Sequence, residues 1–146
     1  MPKILVVISR YYQSIADEME IGATSVIQAS GCEFEVLEVP GAFEIPAAIR
    51  MAAETGKYDG YVALGCVIRG ETTHYDYVCR ESARGLNQLA INYMLPIGYG
   101  ILTCENMDQA KVRANISEGN KGGDAARACI HMMTLKEHFS IGKITA

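Results

Sequence analysis

The sequence predicts an α/β three-layer sandwich, a four-stranded parallel sheet flanked by helices on both faces, with residues 1–146 forming one domain. Two observations lead there. Apolar runs of strand length alternate with stretches of helical periodicity, and strands alternating with helices pair in parallel through right-handed crossovers. The first and third of these runs, Lys3 to Ser9 and Tyr61 to Ile68, are also apolar almost throughout instead of at every second residue, as in strands covered on both faces. The chain's 146 residues suffice for one core, since domains most often hold roughly 100–150 residues.

Taken in order, Lys3 to Ser9 reads as the first strand. Ser14 with Asp17 has the form of a capping box, and Ile15, Met19, Ala23, Val26 and Ile27 then recur at helical spacing up to Gly31, a C-terminal cap. Glu33 to Val39 is a second strand, stopped by Pro40-Gly41, and Pro46 fits the first turn of a helix running to about Glu54. Tyr61 to Ile68 is the third strand. The loop Arg69 to His74 leads into a long helix with Val78, Leu86, Leu89, Ala90 and Tyr93 on one face. Pro96 closes it, and Ile97 to Thr103 is the fourth strand. Two helices remain, around Met107 to Ala114 and from about Gly122 to Lys136, separated by Ser117 to Gly123.

Bulk properties narrow the function classes. Hydrophobic residues make up 49% and charged residues 21%, an ordinary globular composition. The net charge of -4, with no basic block, argues against nucleic-acid binding by phosphate neutralisation. No apolar run approaches the ~18 residues of a membrane span. Ile4 to Ile8 is too short for the core of a signal peptide and no cleavage site follows, so a cytoplasmic location is expected. Cys32, Cys66, Cys79, Cys104 and Cys129 are odd in number, without a C-x-x-C pair or clustered histidines. They fit neither a disulfide framework nor a zinc site, and read as scattered thiols in a reducing compartment.

In parallel sheets ligands bind outside the carboxyl ends of the strands, so four loops matter: Arg10 to Gln13, Val39 to Glu44, Arg69 to His74, and Cys104 to Asn106. Aromatic residues beside a histidine and a carboxylate suit a flat, hydrogen-bonding heterocycle, though each aromatic taken alone also fits rim packing. Gly65 to Gly70 has the glycine spacing of a nucleotide phosphate loop, but Glu71 stands where that loop needs lysine. No G-x-G-x-x-G follows the first strand, so the dinucleotide fingerprint is missing too. Gly70-Glu71-Thr72 can still offer backbone N–H groups to a single phosphate. Arg113 is a second phosphate candidate, with Lys121 near it; a solvated helix face fits Lys121 equally well. His74, at the end of a loop that follows a strand, suits proton transfer near neutral pH.

Together these segments resemble the lumazine synthase family. The resemblance rests on Ser9-Arg10-Tyr11, Val39 to Pro46, Gly65 to Tyr77, Leu102 to Asn106, Gln109-Ala110 and Gly119 to Gly122, in the family's order and spacing over nearly the whole chain. It implies a flavodoxin-like fold and condensation of 5-amino-6-(D-ribitylamino)uracil with 3,4-dihydroxy-2-butanone 4-phosphate. The products would be 6,7-dimethyl-8-ribityllumazine, phosphate and water, with no metal or organic cofactor. By the same analogy Tyr11 and Phe43 flank the pyrimidine, Ala42 and Glu44 bind the ribityl chain, and backbone groups of Cys66, Val67 and Ile68 read the pyrimidine edge. Glu71 and Thr72 would hold the phosphate through their N–H groups opposite Arg113, and His74 would move protons. Tyr99 and Arg113 match positions contributed by the adjacent subunit, and Lys121 one near that shared site.

The implied partners are the two small molecules and further copies of the chain as a pentamer, with riboflavin synthase as a candidate associate. Three features depart from the family. Tyr11 and Tyr99 stand where it often has phenylalanine, Tyr12 replaces a small amide, and the first core strand begins without the longer N-terminal segment of many relatives. That segment pairs with a neighbouring subunit, while the short Gly119 to Gly122 turn points toward shell-forming pentamers; the sequence does not decide between them. Other readings are weaker. A flavodoxin-like electron carrier needs a Ser/Thr/Gly-rich loop where Arg10-Tyr11-Tyr12-Gln13 stands. A receiver domain needs acidic residues where Arg10 and Arg69 stand. A shell protein without catalysis would have little use for His74 and Arg113.

Overall fold

A computed structural model of the chain describes residues 1–142. Strands β1 (Lys3–Ser9), β2 (Glu33–Val39), β3 (Gly60–Ile68) and β4 (Ile97–Cys104) form one sheet in the order β2-β1-β3-β4. All three pairings are parallel, with Ile4 beside both Phe34 and Gly60, and Tyr61 beside Ile97. Helices α1 (Gln13–Ala29), α2 (Ile45–Glu54), α3 (His74–Asn92), α4 (Met107–Ala114) and α5 (Lys121–His138) connect and follow the strands, and a 3₁₀ turn, Ala42–Glu44, precedes α2.

The two-residue period of a strand divides its side chains between the faces. Ile4, Val6 and Ile8 of β1 join Val62 and Leu64 in a core closed by Met19, Ala23 and Ile27 of α1 with alanines of α4 and α5. Leu5, Val7, Tyr61 and Ala63 enter the opposite core against Ile45 and Ile49 of α2 and Val78, Leu86 and Leu89 of α3. Each of these aliphatic side chains contributes about 1.5–3 kcal/mol by leaving water. The central strands are therefore apolar on both faces. β2 is the exception: it lies at the sheet edge, and Val36 and Leu37 remain exposed.

Two local expectations fail. Ser14 and Asp17 do not form a capping box: α1 starts two residues earlier than such a box would place it, with Tyr12 at the cap position and no side-chain cap. The Asp17 carboxylate instead accepts from the Arg10 guanidinium at 3.1 Å and the Gln13 amide at 2.7 Å. A charge-assisted bond to a neighbouring loop outcompetes a neutral cap. The turn before α5 is also shorter than predicted. Asn120 caps the helix, accepting from the Gly123 N–H at 3.3 Å, so Lys121 stands in the first helical turn and not in a loop.

Candidate functional site

The chain runs from β1 out to β2 and returns past β1 to β3, which opens a crevice at the carboxyl ends of β1 and β3, where such sheets place their ligands. A cleft of about 650 Å³ occupies it, within the roughly 300–1,000 Å³ of small-molecule sites. The ends of β1, β2 and β3 supply its walls, and that of β4 does not line it. Ser9, Tyr11 and Tyr12 follow β1, Pro40 to Glu44 follow β2, and Cys66 to Ile68 with Gly70 and Thr72 end β3. His74 and Tyr75 from the first turn of α3 and Val78 from the second close it.

Of the residues singled out from sequence, Tyr11, Ala42, Phe43, Glu44, Cys66, Val67, Ile68, Thr72 and His74 meet in this cleft. Glu71 is exposed in the loop beside them but does not line it. Tyr12, Tyr75 and Val78 line the cleft although sequence reasoning gave them no role there. Val78 could have been found, because positions four apart share a helix face and it follows His74 by one turn. The rings of Tyr11 and Phe43 are 77% and 55% exposed, leaving apolar area for a ligand to cover. Glu44 folds its carboxylate back toward Gly41, where a side chain would stand 3.2 Å from Oε1.

Charge is arranged unevenly. The cleft lining holds one carboxylate, Glu44, and no lysine or arginine. Both arginines at the neighbouring strand ends are engaged elsewhere. Arg10 pairs with Glu20, Asp17 and Glu38. Arg69 pairs with Glu105 at 2.6 Å and Asp76 at 3.4 Å, and lies 4.4 Å from the centre of the Tyr75 ring. Positive potential for an anion comes instead from the backbone. Among the described residues the amides of Gly70, Glu71 and Thr72 donate to no protein acceptor, and they precede the 19-residue helix α3. Free N–H groups at a helix N-terminus attract phosphate. The Cys66 thiol is pushed up to about 12 by burial and, less, by its neighbour Cys104, so near neutral pH it is a weak donor and not a nucleophile.

Tyr99, Arg113 and Lys121 lie in a different hollow, of about 400 Å³, along the exposed edge of β4 with Thr103 and Asp124. No residue lines both hollows. Arg113 makes no ion pair among the described residues, whereas Lys121 reaches Asp124 at 3.5 Å. Gly119 sets the position of Arg113: its N–H donates to the Val112 carbonyl at 3.0 Å, and a side chain there would stand 2.8 Å from the Arg113 Cα. Burial raises the Tyr99 phenol, which therefore stays protonated. Among the described residues no helix is long and apolar enough to cross a membrane, and no group of three His, Cys, Asp or Glu side chains could hold a metal ion.

Comparison with known proteins agrees with this architecture. The family described as 6,7-dimethyl-8-ribityllumazine synthase matches residues 1–137. The chain is 52% identical over 139 residues to the 6,7-dimethyl-8-ribityllumazine synthase of Methylorubrum populi, covering 92% of this chain and 82% of that protein. It is 53% identical over 140 residues to the enzyme of that name from Zymomonas mobilis, covering 96% of this chain and 100% of the other. With 6,7-dimethyl-8-ribityllumazine synthase 1 of Rhizobium meliloti it shares 51% identity over 145 residues, 96% of this chain and 95% of the relative.

Proposed function

The chain belongs to the 6,7-dimethyl-8-ribityllumazine synthase family, and from that premise we propose how its own residues carry the reaction. A ribitylated aminopyrimidine and a four-carbon dihydroxyketone phosphate condense in the cleft at the carboxyl ends of β1 and β3. The ring amine attacks the ketone carbon and water leaves to form a Schiff base. Elimination of phosphate, and then closure of the second ring by the ribitylamino nitrogen on the remaining carbonyl with loss of a second water, give 6,7-dimethyl-8-ribityllumazine.

In this reading the pyrimidine is flanked by Tyr11 and Phe43, and its edge is read by backbone groups of Cys66, Val67 and Ile68. The ribityl hydroxyls meet Ala42 and the Glu44 carboxylate. The phosphate sits on the free amides of Glu71 and Thr72, and His74, two residues after Thr72, carries protons between substrate and solvent. Arg113 answers the phosphate from an adjacent subunit, with Tyr99 and Lys121 on the same edge. Residues 1–146 act as one domain within a cytoplasmic homo-oligomer, a pentamer, with riboflavin synthase as a candidate associate.

One observation carries the shared-site proposal. The cleft lining holds no cation, while the exposed Arg113 lines a separate hollow on an open sheet edge. A dianionic phosphate in the cleft needs a second protomer to bring that charge. The exposed Val36, Leu37, Tyr77 and Ile91 are further apolar area that association would cover. The deciding experiment incubates purified protein with both substrates, follows lumazine absorbance, and measures particle mass by light scattering. Lumazine formation by an oligomer is expected; a well-folded monomer that makes none overturns the proposal.

A further inference from the structure

We propose that Tyr12 is a pyrimidine-binding and positioning residue of this cleft, its hydroxyl bonding the heterocycle while its ring braces Tyr11. The inference rests on the lumazine synthase reading and assigns a role to a side chain for which the family resemblance supplies none. Three observations carry it. Tyr12 lines the cleft between Tyr11 and the end of β3, while its ring packs against the core formed by Ile4, Val6 and Ile8 with α1. The two tyrosine rings meet edge to face, with centres 5.0 Å apart and planes at 76°. Tyr11 is 77% exposed and this ring is its described aromatic neighbour, so Tyr12 limits where the Tyr11 face can point.

The hydroxyl supplies the third. Among the described residues it makes no hydrogen bond, yet no buried side-chain oxygen or nitrogen is left without a partner. A half-buried tyrosine meets both conditions only if solvent reaches its hydroxyl, and Tyr12 is part of the cleft lining. Partial burial raises this phenol, so it remains protonated near neutral pH and can both donate and accept. The backbone holds the ring still: Tyr12 is the residue before α1, and its carbonyl accepts from the Ala16 N–H at 2.9 Å. A fixed donor beside an aromatic platform suits the carbonyl and ring-nitrogen edge of a pyrimidine. The phosphate-binding amides lie at the α3 end of the cleft, so the phospho-ketone should not sense Tyr12.

The test compares wild type with Tyr12→Phe, which keeps the ring and loses only the hydroxyl, and with Tyr12→Ala, Tyr11→Ala and the double variant. Tyr12→Phe should raise KM for the pyrimidine substrate about three- to tenfold, with kcat and KM for the phospho-ketone within about twofold. Binding of 6,7-dimethyl-8-ribityllumazine, titrated by fluorescence, should weaken by the same factor, while inorganic phosphate binds as before. In the Tyr12→Ala background, Tyr11→Ala should cost less than in wild type, because an unbraced ring has already lost its alignment. A Tyr12→Phe variant with wild-type lumazine affinity and pyrimidine KM overturns the hydroxyl contact, and additive alanine effects overturn the bracing. If wild type itself makes no lumazine, the family reading fails, and the proposal with it.

Discussion

Phe43→Ala tests the aromatic wall of the cleft directly. The ring is 55% exposed in the 3₁₀ turn ahead of α2. An aromatic side chain carries roughly 150–250 Å², so about 80–140 Å² of it awaits a ligand. If a pyrimidine covers half, about 40–70 Å² leaves water, worth about 1–1.8 kcal/mol at 25 cal/mol per Å². Aromatic pairing adds about 0.5–1.5 kcal/mol. The sum, about 1.5–3 kcal/mol, corresponds to a roughly ten- to hundredfold rise in KM for the pyrimidine substrate. Since the contact exists before and during reaction, kcat should change little. KM for the phospho-ketone should also stay, because the proposed phosphate site lies at the α3 end. The exposed ring contributes little to the core, so the melting temperature should move by no more than about two degrees. Steady-state kinetics with each substrate varied in turn decides it. A rise confined to the phospho-ketone KM would refute the placement of the two substrates.

Further outcomes follow from the same geometry. His74→Ala should slow turnover by about 10²–10⁴-fold without abolishing it, since orientation in the cleft persists. Arg113→Ala should raise KM for the phospho-ketone, and co-assembled His74→Ala and Arg113→Ala subunits should be more active than either alone; demonstrated mixed oligomers with no gain would rule out a shared site. Gly119→Ala should mimic Arg113→Ala in part, because its Cβ would press on the Arg113 Cα and carbonyl, at 2.8 and 2.9 Å; unchanged phospho-ketone KM would argue against this positioning. Stability should fall in alkali. Burial raises Cys66 and Cys129 from 9.0 to about 12 and Tyr61 from 10.0 to about 12, and donation to Glu35 does the same for Tyr58. Groups with raised folded values stabilise fully below their unfolded values and lose that contribution as pH climbs through the folded ones. Melting temperatures measured from pH 8 to 12 should thus decline progressively above about pH 9; a flat profile to pH 11 would contradict these shifts.

The sequence by itself determined the element order, because continuous apolar runs such as Ile4 to Ile8 and Tyr61 to Leu64 can only be strands covered on both faces, and helical spacing fills the gaps. It also pointed to three of the loops that line the cleft, since a parallel sheet sends every loop that follows a strand to one end, whereas the fourth, Cys104 to Asn106, does not line it. Tertiary structure decided what competition between partners decides. Asp17 could have completed a capping box with Ser14, yet Arg10, in the loop that leads into α1, pairs with it instead. That Arg10 and Arg69 are paired with Glu20, Glu38, Asp76 and Glu105, which other elements bring in, is likewise visible only in the fold. Tyr12, a departure from a family pattern in the sequence, is placed by the fold in the cleft lining and against the Tyr11 ring. Residue spacing cannot report such contacts, because charge pairing and ring packing depend on distances that exist only after the strands have come together.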